Sequence, residues 1–207
     1  MEREAVANLF GKNFIGKDEL EAFFKALGFG DVEIQEPPIE YKDSVLEKAA
    51  NDGYILIFGM DNINGQSITL RFLREKFGVN PDEYEPCLYN QDWYMKEDFM
   101  DMELDNKWYL IKKDVFEESR AVMPCDLVQH GMNFPSAILC GYTFFAYFFA
   151  RNQYLWWHDF VWCNDVDHNG DRIYVGKYND VDGVNKNGFS IHRHLGLRNC
   201  YASSNCI

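Results

Sequence analysis

Residues 156–177 read WWHDFVWCNDVDHNGDRIYVGK, two runs rich in aromatic and β-branched residues on either side of Asn169-Gly170. Asn-Gly between such runs is the strongest short-range signal for a β-hairpin, because a two-residue turn needs left-handed backbone at both positions. A turn at Asn169 and Gly170 pairs His168 with Asp171, Val166 with Ile173, Asp165 with Tyr174 and Trp162 with Lys177. Alternation then sets Phe160, Trp162, Val166, Ile173 and Val175 on one face and Asp165, Asp167, Arg172 and Tyr174 on the other. Residues 188–194 (GFSIHRH) supply a third strand that points His192 and His194 to the same side. The region 156–207 therefore reads as an antiparallel β meander.

Upstream, residues 136–150 (SAILCGYTFFAYFFA) form the longest apolar run. At about 15 residues it falls short of the roughly 20 that span a membrane, so it reads as a buried helix. Residues 107–116 (KWYLIKKDVF) and the YILIFG run from Tyr54 read as strands. Residues 64–77 (NGQSITLRFLREKF) combine a turn dipeptide, a helix cap at Ser67 and an apolar stripe of Ile68, Phe72 and Leu73. The resulting strand-loop-helix unit lacks the GK[ST] ending with which a P-loop grips phosphate. Residues 43–50 predict a short helix. Residues 17–27 (KDELEAFFKAL) predict an amphipathic one, with Leu20, Phe23, Phe24 and Leu27 inward and Gly28 just past its end. No repeat or linker interrupts the chain. The expectation is one α+β domain over 1–207, mainly helical with two or three strands through residue 155 and a meander beyond.

Composition narrows the function classes. The chain has 207 residues, 47% of them hydrophobic and 16% aromatic, enough to bury a substantial core and to exclude disorder. The opening MEREAVANLF has no apolar run behind a basic start, so it does not read as a secretory leader. Six scattered cysteines without a CxxC pair read as reduced thiols. A cytoplasmic, non-membrane protein is expected.

Net charge is −13 and unevenly spread. Residues 81–118 hold twelve acids against Lys96, Lys107, Lys112 and Lys113. Non-specific nucleic-acid binding, which relies on cations displacing counterions from phosphates, is disfavoured. Residues 93–105 read as a helix with Met95, Phe99 and Met102 on one face. Glu97, Asp101 and Asp105, with Asp98 beside them, form an acidic stripe repeating about every 5.4 Å. That stripe is the candidate surface for binding or inhibiting a basic protein partner, as an immunity or anti-defence protein does, without catalysis or cofactor.

Two alternatives come from the meander. His192 and His194, about 6.5 Å apart on one strand face, with Asp165 and Asp167, make a candidate site for a divalent metal serving hydrolysis or binding alone. Residues 165–170 also open with the oxygen spacing of a calcium loop, but Gly176 stands where a bidentate glutamate must close it. Trp156, Trp157, Trp162 and Tyr174 are the candidate stacking residues of a carbohydrate- or nucleotide-binding module.

Overall fold

The computed structural model describes residues 1–177, 188–193 and 197–207. Helix α1 (Arg3–Phe10) leads to the two-residue strand β1 (Phe14–Ile15) and to α2 (Lys17–Phe24). The Glu19 carboxylate caps α2 by accepting the Gly16 N–H at 3.1 Å. The chain then winds on as a wide turn to Phe29, where left-handed Gly28 (φ 87°) lets it leave the helix. After α3 (Asp43–Asn51) comes β2 (Tyr54–Gly59), buried at all six positions as its unbroken apolar run requires.

Next is a small hairpin, β3 (Asn62–Ile63) and β4 (Gln66–Ser67), turning on Asn64 and Gly65, both left-handed. Ser67 therefore lies in a strand. Helix α4 (Leu70–Phe77) is capped by Thr69, whose hydroxyl accepts the Phe72 N–H at 3.1 Å. Strand β5 (Lys107–Lys112) runs antiparallel to β2 and β1 runs parallel on its other side, giving the order β1-β2-β5. The outer edge of β5 is covered by residues 205–207. Asn205 O accepts from Lys112 N at 2.8 Å, and Ile207 N donates to Leu110 O at 2.9 Å. The Tyr41 hydroxyl donates to Ile207 O at 2.6 Å.

A short α5 (Pro124–Gln129) precedes α6 (Ala137–Arg151), the apolar helix. Ser136 caps α6 with its hydroxyl on Leu139 N, and every residue from Ala137 through Tyr147 is buried. α6 packs against α2 and α4, beneath the β1-β2-β5 sheet and beneath a second, C-terminal sheet. Phe77 of α4 stacks on Phe145 at 4.0 Å, with the rings 6° apart. Gly141 lets α4 close in, since a Cβ there would lie 2.8 Å from Leu70 Cδ2. The main core runs continuously from Val6 to Ile191. Among the described residues no helix is long and apolar enough to cross a membrane. No disulfide links the six cysteines.

The C-terminal sheet contains β6 (Phe160–Val166), β7 (Arg172–Lys177), β8 (Phe189–Arg193) and β9 (Tyr201–Ala202), in the order β8-β7-β6-β9. The meander is as expected, with β9 added parallel to β6. The hairpin register is not. Gly170 is the left-handed residue of the turn (φ 85°), and its N–H donates to Asp167 O at 2.9 Å. Asp167 Oδ1 accepts the N–H groups of Asn169 and Asp171, so the loop is His168-Asn169-Gly170. Trp162 pairs with Tyr174 and Phe160 with Gly176, and an irregularity between Trp162 and Val166 absorbs the offset. Trp162 and Tyr174 therefore share a face. Only glycine fits at position 176, where a Cβ would sit 2.0 Å from Asp159 O.

Candidate functional site

Residues 93–105 are not a helix. Their one helical element is a single turn, Asp98–Asp101, pinned by buried Phe99 and Met100. Side-chain bonds to other elements decide the local path. Arg71 of α4 forks onto both oxygens of Asp101 at 2.6 and 2.9 Å and also reaches Met95 O. Glu97 turns inward and is only 7% exposed. Asp105 pairs with Lys107 at 2.9 Å. The expected stripe of Glu97, Asp98, Asp101 and Asp105 thus has no common helical face. Asp98 and Glu103 are exposed and enter no ion pair among the described residues. Between them Met102 is 52% exposed.

Glu97 joins the hairpin turn instead. Its Oε2 accepts His168 N at 2.9 Å, and its Oε1 lies 2.6 Å from His168 Nδ1. Buried Asp167 is next to this pair, and donor atoms of Glu97, Asp167 and His168 all lie within 4.8 Å of one another. Burial pushes the Asp167 carboxyl up, but the N–H groups of Asp171 and Asn169, with Arg193 at 3.3 Å, outweigh it and hold it below its ordinary value. Each carboxylate of the trio is thus already satisfied by protein donors.

The four proposed metal ligands are dispersed. Asp165 Oδ2 accepts the Ala137 N–H at the start of α6, and burial raises its pKa. His192 sits on the opposite face of the sheet, opposite Tyr174 in the register, stacked 5.4 Å from its ring and edge-on to Phe160. Burial lowers the His192 pKa to about 4, so the ring is neutral near pH 7. His194 lies outside the described residues. The shared-face expectation failed because alternation runs through the offset between Trp162 and Val166.

The stacking set also divides. Trp162 and Tyr174 are buried in a second cluster with Leu127, Phe134, Phe160 and Tyr201, under the segment that carries α5. Trp156 belongs to the main core. Trp157 remains 42% exposed, 5.0 Å from Tyr154. Behind these two rings lies an ion pair the sequence did not announce. Lys177 Nζ, fully buried, is 2.7 Å from Glu85 and 4.2 Å from the Tyr154 ring centre. The Tyr154 hydroxyl donates to the same Glu85 at 2.8 Å. A lone lysine ending the strand RIYVGK is the only trace of this in the sequence.

The surface thus offers an acidic turn around Met102, a closed polar knot at the hairpin and an aromatic cavity around Trp157. No protein-family model, curated protein or solved structure matches the chain.

Proposed function

We propose that this protein binds a basic protein partner through the turn formed by Asp98, Asp101, Met102 and Glu103. The observation that carries this reading is Met102, 52% exposed and flanked by three carboxylates on a turn that Phe99 and Met100 anchor in the core. An exposed apolar side chain within a charged rim on a rigid support has the composition of an interface centre. Long-range attraction comes from the rest of residues 81–118. There Asp82, Glu83, Asp92, Asp114 and Glu118 are also exposed and enter no ion pair among the described residues. Such a field speeds encounter with a cationic partner and excludes acidic ones. Glu97 is left out of the surface because it faces the hairpin.

The test is capture of binding proteins from a lysate of the source cells by wild type, by Asp98→Lys/Glu103→Lys and by Met102→Ala, at low and high salt. A basic protein retained by wild type at low salt should be lost from both variants. Equal capture of that protein by the charge-reversed variant, with its melting temperature unchanged, overturns the reading.

A further inference from the structure

We propose that the cavity beside Tyr154 and Trp157 binds a neutral saccharide. It measures about 370 Å³, within the range of small-molecule sites, and it lies apart from the acidic turn around Met102. Four observations converge on it.

Trp157 is 42% exposed, and its neighbour ring Tyr154 stands 5.0 Å away. The flat apolar face of a pyranose stacks on such rings. The loop that presents them is held rigidly. Trp156 and His158 are both left-handed, at φ 49° and 65°, a conformation rare for bulky residues and concentrated at functional sites. Backbone bonds from His158 N to Lys177 O and from Lys177 N to Trp156 O fix that path.

The carboxylates of the cavity are poised as acceptors. Arg120 grips Asp159 and Glu117 at once, with contacts of 2.6 to 3.2 Å. Arg120 offsets about half of their charge, and each keeps lone pairs for hydroxyl donors. Asp114, also in the wall, stands beside Lys113. With Asp114, Glu117 and Asp159 against Lys113 and Arg120, the site carries one net negative charge: it repels phosphate, holds a cation only weakly, and matches a polyol that donates and accepts hydrogen bonds. Finally, Trp156 lines the cavity at 5% exposure, and its indole N–H has no acceptor among the described residues. A buried donor left unpaired is costly, and a ligand oxygen that reaches it as the ring gives way would pair it.

The experiment is a titration of the full chain, followed by tryptophan fluorescence and ligand-observed NMR. The probes are glucose, galactose, mannose, N-acetylglucosamine and their β-linked disaccharides, with spermidine as the cationic control. At least one neutral sugar should bind saturably. Trp157→Ala should weaken it about tenfold, Trp157→Phe should largely restore it, and Asp98→Lys should leave it unchanged. Asp114→Asn is the second variant, exposed and outside any ion pair among the described residues, and should weaken binding at an unchanged melting temperature. Absence of saturable binding by every sugar overturns the proposal, as does full affinity in folded Trp157→Ala or Asp114→Asn. Binding of spermidine alone would also overturn it, identifying the cavity as a cation cage.

Discussion

His192 shows how a residue chosen for one chemistry is assigned another by its neighbours. Packed against Tyr174 and Phe160, its ring is held neutral with a pKa of about 4. Well above pH 6.5 both folded and unfolded chains carry it uncharged, and it adds no pH dependence. As pH falls from there toward 4, the unfolded chain takes up a proton that the folded chain refuses. Stability therefore drops, by an amount on the order of 2–3 kcal/mol once pH 4 is passed. Urea unfolding of wild type and His192→Phe between pH 7 and about 4 should show the wild type losing more stability. Parallel curves would refute this. Histidine and aspartate types are visible in any sequence, but whether a ring meets a metal or another ring depends on which sheet face it occupies. Here one offset between Trp162 and Val166 decided that.

Among the elements, those built on short-range chemistry were the legible ones. The β2 run, the apolar α6 and the α2 pattern carry their own periodicity and caps, and they form where expected. Residues 93–105 failed because the apolar spacing of Met95, Phe99 and Met102 mimics a helix, whereas distant partners, Arg71 and His168, pull Asp101 and Glu97 off that path. The start of α4 was misplaced by two residues for a local reason: Asn64-Gly65 closes a hairpin, which consumes Ser67. Thr69→Ala should cost about 1 kcal/mol by removing the α4 cap, while Ser67→Ala, exposed in β4, should change stability by under about 0.5 kcal/mol. Chemical denaturation of the two variants checks the order, and equal losses would return the cap to Ser67. The candidate sites were less legible than the elements. Trp157 was named, but Tyr154, Glu85 and Lys177 come together only through the tertiary fold.

For the whole molecule, a net charge of −13 leaves self-repulsion that compactness intensifies. Raising ionic strength from about 0.01 to 0.15 M shortens the screening length from about 30 to 8 Å. The melting temperature should therefore rise with sodium chloride over that range. A fall would mean that bound pairs such as Arg3–Glu36 and Arg120–Asp159 outweigh the unpaired acids.

The strip of chain laid along β5 also sets a timetable for synthesis. The Tyr41–Ile207 bond joins positions 166 apart, and the strand it helps cover is made about midway along the chain. While the ribosome is still adding the second half, the rim of the first sheet stays bare, offering unpaired N–H and C=O groups to any passing strand. Assembly of the first sheet can begin early, but it is sealed only after residues 205–207 emerge. Until that segment emerges, the nascent protein remains open to intermolecular pairing along β5.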